Sequence, residues 1–451
     1  MSRSVLIVTP FFAPQNHAAV FRAYKLAKYL PQFGWKPIVL TGDRQYEFHE
    51  DPCLLAELPE EVEVVRARYV EPSLRGVRMT FGGKDRSFKS LKQITRNGNA
   101  PGTTRHSAAT RTYNHLIKSW VQVPDAYWTW ANAAIALGKK IIRERGINVI
   151  YTSCSPYSSL GVGSELQKEG VKWVADFRDP LGYSQKLTNY APHIYSRQRA
   201  IVNHALSNAD AITVLSSSYS SIFKDVFGNE HREPIFIPTG IDESLLTSSS
   251  EDVPRRPAPY LIFAGEYLPE YDTTFVEAFS AVLQNQEIAR TGIKLLVVGT
   301  LSLNRSRLMP VVEQFGLSRN VEFQDQIPQN EVYKLVRGAR AGVLVPGTRA
   351  FWWANFAKMT DYIGMRKPVV AIVPDPSEAR TALTRSRLGI FLDGSAERRA
   401  QILRDFLLGN YQMPAPDEDE CDRYTARRQV HSFVEIFESL TKPKAMSASA
   451  Q

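Results

Sequence analysis

Two doubly wound α/β units in tandem are the fold class that this sequence of 451 residues predicts. Short apolar runs alternate with amphipathic stretches at helical spacing, the pattern of a parallel sheet wrapped by helices. The alternation stops near Pro238 and resumes near Tyr260. Between them, T-G-I-D-E-S-L-L-T-S-S-S-E-D-V-P-R-R-P-A-P is rich in Ser, Pro and charge, as linkers are. The length also suits about two or three domains with sizeable cores.

In the first unit the apolar runs Val5–Thr9, Pro37–Thr41, Val62–Arg66, Asn148–Thr152, Lys172–Ala175, Ala211–Leu215 and Ile235–Ile237 read as strands. Helices are expected over Ala18–Phe33, Trp128–Arg145, Ser158–Glu169 and His193–Ser207, where apolar residues recur at three- and four-residue spacing. The second unit repeats the scheme with strands Tyr260–Ala264, Lys294–Val298, Val321–Phe323, Gly342–Val345, Pro368–Val373 and Gly389–Leu392. Its helices are expected over Thr273–Leu283, Leu308–Phe315, Glu331–Arg337, Ala354–Ile363 and Glu397–Leu407. A last helix is expected from about Asp422 to Leu440. The boundaries fall at 1–239 and 240–420, with a helix over 421–441 and a disordered tail over 442–451.

Hydrophobic residues make up 43% and charged residues 22% of the chain, as in soluble globular proteins. The run Val5–Thr9 is stopped by Pro10, too short for a signal peptide or a membrane span, and no later run reaches spanning length. Cys53, Cys154 and Cys421 are far apart, so neither a zinc site nor a disulfide framework is expected, and a cytoplasmic location is. The net charge of +9 is concentrated in one place. Between 66 and 118 stand twelve Lys or Arg residues, opposed only by Glu71 and Asp85. Such a segment suits an anionic membrane surface or a phosphorylated acceptor, and equally a solvated insertion. Without a zinc-finger or RNA-binding signature, nucleic acid is not an expected partner.

The run V-K-W-V-A-D-F-R-D-P-L-G places Asp176, Arg178 and Asp179 at the carboxyl end of a strand, where open α/β sheets bind ligands. An ion pair bracing a loop reads equally well from the segment alone. After the first strand, T-P-F-F-A-P-Q-N-H-A-A-V-F-R has no glycine, which disfavours a dinucleotide fingerprint, and no G-x-x-x-x-G-K-[ST] occurs. Asn16, His17 and Arg22 instead offer polar groups near a helix amino terminus for an anionic or hydroxyl-rich ligand.

In the second unit Gly265-Glu266 and Gly299-Thr300 follow strands, and glycine there lets a nucleotide approach the backbone. Lys358 and Asp361 are three apart on a helix, placed to meet phosphate and ribose, or simply each other. Asp417-Glu418-Asp419 lies among prolines and acids and reads as a solvated loop. No metal is expected.

Together these blocks resemble the family-four GT-B glycosyltransferases, in the bacterial subgroup that builds polysaccharides and glycoconjugates. V-L-I-V-T-P-F-F-A-P-Q with Arg22, I-Y-T-S-C-S-P-Y-S-S, V-A-D-F-R-D-P-L-G and I-P-T-G-I-D resemble the family's successive blocks, and K-M-T-D-Y-I-G-M-R-K-P-V-V-A-I resembles its K-[LF]-x-E-Y-[LI] block. The resemblance implies two Rossmann-like domains facing a central cleft, with the last helix crossing back to the first. It implies transfer of a sugar from a nucleotide diphosphate donor, as co-substrate without a cofactor, to a hydroxyl acceptor that is lipid-linked in the membrane reading. Asp176, Arg178 and Asp179 are then the catalytic candidates, and Asn16, His17 and Arg22 the acceptor side. The expected donor set is Gly265, Glu266, Gly299, Gln326, Ile327, Lys358 and Asp361, with Asp361 in the place of the family's ribose-binding acid. Retention at the anomeric carbon follows from the resemblance alone.

Two departures stand out. The first acid of the family's E-x7-E pair is replaced by Trp353, and G-E-Y-L-P-E-Y-D-T-T lacks the Arg and Lys that grip the diphosphate. Arg305, Arg307, Arg349 or Lys358 could substitute. The departures keep open a non-catalytic partner protein, and because fold does not fix the reaction a nucleotide-sugar epimerase on the same scaffold is the alternative enzyme.

Overall fold

The computed structural model describes residues 3–43, 50–73, 120–181, 191–247 and 256–442. Most of the basic segment and the expected disordered tail lie outside the described residues. The chain divides into two compact units: Met1–Leu215 with Tyr219–Ile237 and Val430–Gln451, and Ser216–Ser218 with Pro238–Gln429.

The first unit is built on seven parallel strands: β1 (Ser4–Val8), β2 (Lys36–Gly42), β3 (Glu63–Ala67), β4 (Val149–Cys154), β5 (Lys172–Phe177), β6 (Ala211–Val214) and β7 (Ile235–Phe236). They lie in the order β3-β2-β1-β4-β5-β6-β7. The register sets Val5 of β1 beside Pro37 of β2 and Val149 of β4. Strands β1 and β4 are buried at every position, as strands covered on both faces must be. Helix Trp128–Arg145 buries Trp130, Ala134, Gly138 and Ile141, one stripe at helical spacing. From helix Ala426–Thr441, Phe437 packs 5.4 Å from the Trp35 ring and Phe433 packs 5.3 Å from Tyr151.

The second unit has six parallel strands: β8 (Tyr260–Ala264), β9 (Lys294–Val298), β10 (Val321–Gln324), β11 (Ala341–Leu344), β12 (Val369–Ala371) and β13 (Gly389–Phe391), in the order β10-β9-β8-β11-β12-β13. Side chains alternate across β8. Leu261 and Phe263 join the core with Phe275 and Phe279, while Tyr260 and Ile262 join the one with Tyr362 and Ile363. In both sheets the order reverses beside the first strand, between β1 and β4 and between β8 and β11. Ligands of open α/β sheets bind at the carboxyl ends of strands flanking such a point.

The expected strands recur within one or two residues of their places, and four differences matter. Strand β5 continues through Asp176 and Phe177, so Asp176 lies inside the sheet and not beyond its end. Helix Leu301–Gln314 starts seven residues before Leu308, because Asn304 occupies an inward position that the apolar pattern leaves blank. Asp417-Glu418-Asp419 is no loop: the Asp417 side chain accepts from the Glu420 N–H and caps a short helix, Glu418–Asp422. The last helix accordingly begins at Ala426. Among the described residues no helix is long and apolar enough to cross a membrane.

Candidate functional site

In the first unit the predicted residues separate into an interior pair and an outer group. Arg22 sits on helix Ala18–Tyr29, and its Nε and Nη2 donate to the two carboxylate oxygens of Asp176, both at 2.8 Å. The third arm, Nη1, donates to the Ile237 carbonyl at 2.8 Å, and the guanidinium lies 5.3 Å from the Phe433 ring. Tyr151 Oη and Thr213 Oγ1 donate to the same carboxylate at 2.7 and 2.6 Å. Arg22 is 1% exposed and Asp176 fully buried. Burial first, and then the Asp176 carboxylate, push the Tyr151 phenol well up, so it remains a donor. This corrects two expectations: Asp176 is not at a catalytic surface and Arg22 is not an acceptor contact. A carboxylate with four donors and a bidentate guanidinium form a closed network that ties β5 to helix Ala18–Tyr29 and to the chain after β7.

The outer group lies past the ends of β1, β4 and β5. Arg178 Nε donates to Ser153 Oγ at 3.0 Å, and Nη2 donates to the Ser155 carbonyl. Asp179 accepts from Ser155 Oγ at 3.1 Å. His17 donates from Nε2 to Gln15 Oε1 at 3.2 Å and meets Phe11 edge-on at 5.1 Å. Burial, with Arg178 nearby, lowers the His17 imidazole to about 4, so it is neutral at pH 7. Asn16 is half-buried beside it. His17, Arg178 and Asp179 thus assemble around one strand-end region with hydrogen-bonding capacity of both signs.

The second unit brings four of its predicted residues together: Gly265, Glu266, Gly299 and Lys358. Gly265 and Gly299, at φ of 122° and 154°, hold the turns after β8 and β9. A Cβ on Gly299 would stand 2.3 Å from the Gly265 carbonyl oxygen, so only glycine lets the two turns meet. Asn304, fully buried, fastens the first turn: its Nδ2 donates to the Gly265 carbonyl at 3.0 Å and its Oδ1 accepts from the Tyr267 N–H at 2.8 Å. Sequence patterning missed this residue; the polar interruption it makes in an amphipathic helix is the only sign of it.

Lys358 reaches the same turn from helix Ala357–Gly364. A Cβ on Gly265 would lie 3.4 Å from Lys358 Cε and 3.6 Å from Nζ. Although the side chain as a whole is half-buried, Nζ is shut off, and no group among the described residues accepts a hydrogen bond from it. Nζ sits 3.6 Å from the centre of the Phe263 ring and 5.1 Å from that of Tyr271. Burial lowers the amine to about 7, with Glu266 acting in the opposite sense. An unpaired amine in such a place is costly for folding, and pairing it with an anionic ligand removes the cost.

Glu266 is exposed and accepts from Thr300 Oγ1 at 2.9 Å. Asp361 does not pair with Lys358; it accepts from Tyr333 Oη at 3.1 Å. Gln326 and Ile327 follow β10, and the Gln326 N–H donates to Asp325 Oδ1 at 2.9 Å. Arg307 is taken up by the Tyr267 carbonyl at 2.5 Å, while Arg305 and Arg349 are exposed. A cavity of about 570 Å³ opens elsewhere in this unit, lined by Arg385, Asp417, Glu420 and Arg423 among others. None of the predicted site residues lines it, and in its wall Arg423 donates to Glu420 at 3.0 Å.

No protein-family model matches the sequence, and no curated protein matches it. Solved structures do match. A sucrose-phosphate synthase from Thermosynechococcus elongatus superposes with a TM-score of 0.61 at 12% identity, over 97% of this chain and 99% of that one. WaaG, a glycosyltransferase of lipopolysaccharide biosynthesis, gives 0.52 at 14% identity, over 97% and 100%. A structure assigned as a UDP-N-acetylglucosamine 2-epimerase from Listeria monocytogenes gives 0.52 at 8%, over 97% and 96%. At such identities the likeness speaks to fold alone: the chain has the GT-B fold of two Rossmann-like domains, which it shares with these glycosyltransferases.

Proposed function

We propose that the protein is a glycosyltransferase that moves a sugar from a nucleotide diphosphate donor to a hydroxyl acceptor, with the second unit holding the donor. The observation that carries this reading is the Lys358 amine, enclosed beside Gly265 at the carboxyl end of β8 with no acceptor among the described residues. A departing diphosphate needs its charge neutralised by a positioned donor in a site closed to water. Lys358 supplies the positive charge, and the Gly265 and Gly299 turns let the phosphates approach the backbone. Asp361 accepts from the donor ribose, and Gln326 and Ile327 lie toward the base. In this reading the charge on the departing diphosphate is met by Lys358 and the transfer needs no metal.

On the first unit His17, Arg178 and Asp179 are the acceptor contacts, with Asn16 beside them. A His17 that is neutral at pH 7 can exchange hydrogen bonds with an acceptor hydroxyl. Retention, membership of family four and a place in surface polysaccharide or glycoconjugate assembly rest on the sequence resemblance. Peripheral attachment to the inner face of the cell membrane, where a lipid-linked acceptor resides, is supported by the basic segment and by Trp120. That side chain is 73% exposed, follows the segment directly and stacks on His193 at 4.9 Å. Aromatic side chains favour the membrane interface, and bases favour anionic lipid.

Calorimetric titration with uridine, guanosine and adenosine diphosphate sugars tests the donor assignment. At least one should bind, and Lys358→Ala should weaken it about ten- to hundredfold, the worth of a charged hydrogen bond. Silence across the panel would overturn the enzyme reading. The membrane part predicts sedimentation with anionic but not neutral vesicles, weakened by salt. Equal behaviour with both would remove it.

A further inference from the structure

Lys358 differs from an ordinary phosphate-binding lysine in what surrounds it. Phe263, on β8, presents its ring face 3.6 Å from Nζ, and Tyr271, in the loop before helix Thr274–Val282, stands 5.1 Å away. The two rings are 6.3 Å apart in an edge arrangement. Tyr271 is itself fixed against Phe351 at 5.6 Å and Phe356 at 6.3 Å. Among the described residues, the charged and titratable groups that bear on the amine are Glu266, Tyr271 and Asp361. Glu266, on the turn after β8, is the one that favours its charge. The Tyr271 phenol is pushed up by burial and then Glu270, so it stays neutral. Asp361, one turn along the same helix, is engaged by Tyr333. Ring faces attract an ammonium, and desolvation opposes it.

Resting on the donor reading above, we propose that Phe263 and Tyr271 are positioning residues that enclose the Lys358 amine away from water and from any described acceptor, their ring faces only partly offsetting the lost solvation, so that donor binding above neutral pH takes up one proton from solvent. Burial sets the amine's lowered proton affinity at about 7. The arriving diphosphate supplies the negative charge and hydrogen-bond acceptors that the seat lacks, and these restore the ammonium. Linkage then fixes the sign. Donor affinity is level below pH 7 and falls about tenfold per pH unit well above it, because binding requires a proton that the free site has lost.

Two measurements separate this inference from the donor reading. The first needs no donor: the 13Cε resonance of Lys358, assigned by its loss in Lys358→Arg, is titrated in the unliganded protein. A midpoint near 7 is expected, moving lower in Glu266→Gln and in Phe263→Leu, which keeps apolar volume but removes the ring face. A midpoint near the ordinary lysine value would overturn the proposal even if donors bind. The second is calorimetry with the nucleotide sugar that binds, in buffers of different ionisation enthalpy. Uptake approaching one proton is expected above neutral pH and none in Lys358→Arg, whose guanidinium stays charged. Tight binding with no proton uptake and no pH dependence would contradict the inference while leaving the donor assignment intact. Thermal melts of Phe263→Leu and Tyr271→Phe show whether the fold survives, and a merely structural role would leave the 13Cε midpoint where it is.

Discussion

Asp176 and Arg22 show how one carboxylate can look catalytic in sequence and prove to be interior. Each satisfies the other through two bonds of 2.8 Å, and Tyr151 and Thr213 complete the carboxylate. Removing one partner strands the other charge in the interior, which typically costs about 3–5 kcal/mol. Asp176→Ala should therefore lower the unfolding free energy of the first unit by an amount of that order, seen as a lower denaturant midpoint, and the double replacement Arg22→Met with Asp176→Leu should recover much of it. A single variant as stable as the wild type would contradict the closed network. His17 contributes in the opposite pH direction from a salt-bridged histidine. Its folded proton affinity, about 4, lies below the unfolded value of 6.5. The unfolded chain binds the proton first, so stability should fall as pH drops from about 6.5 toward 4, and His17→Gln should flatten that part of the curve. For Lys358, lowered to about 7 from 10.5, the same rule makes stability rise between those pH values. Lys358→Met should raise thermal stability by about 1 kcal/mol while weakening donor binding about tenfold or more, the familiar opposition of stability and function at a site.

At the scale of elements, the turns after β8 and β9 set the donor side. Gly299→Ala would drive a methyl into the Gly265 carbonyl, 2.3 Å away, at a backbone angle that side chains rarely adopt. A loss of several kcal/mol in stability is expected on unfolding, with the folded fraction binding donor poorly. Asn304→Asp keeps the acceptor for the Tyr267 N–H but loses the donor to the Gly265 carbonyl. It should raise KM for the donor more than it lowers the melting temperature. What the sequence disclosed about these elements follows from their physics. Strands such as β1 and β8 are continuous apolar runs because both faces are covered, and they were legible almost to the residue. Helix Leu301–Gln314 was half hidden because Asn304 spends an inward position on hydrogen bonds instead of apolar burial. Asp176 misled for a related reason: a buried polar side chain at the end of an apolar run resembles the start of a loop. The glycine turns and Lys358 were legible singly. Their meeting at one point, and the ring seat from Phe263 and Tyr271, depend on contacts distant in sequence that no local pattern encodes.

For the whole molecule, two parallel sheets with the same order, each reversing beside its first strand, explain why candidate site residues cluster after β1, β4 and β5 in one unit and after β8 and β9 in the other. The fold is shared with glycosyltransferases and with a structure assigned as an epimerase, so fold alone does not choose the reaction. The choice rests on the donor site and on whether an acceptor is required. Release of nucleotide that depends on an added membrane extract would support transfer; conversion of the donor without any acceptor would support epimerisation. The most direct measurement is calorimetric titration of nucleotide diphosphate sugars into the wild-type protein and Lys358→Ala side by side. Saturable binding of at least one donor, weakened about tenfold or more by the substitution, is the predicted result. Absence of binding to every donor, or equal affinity in the two proteins, would contradict the assignment of this lysine and the site built around it.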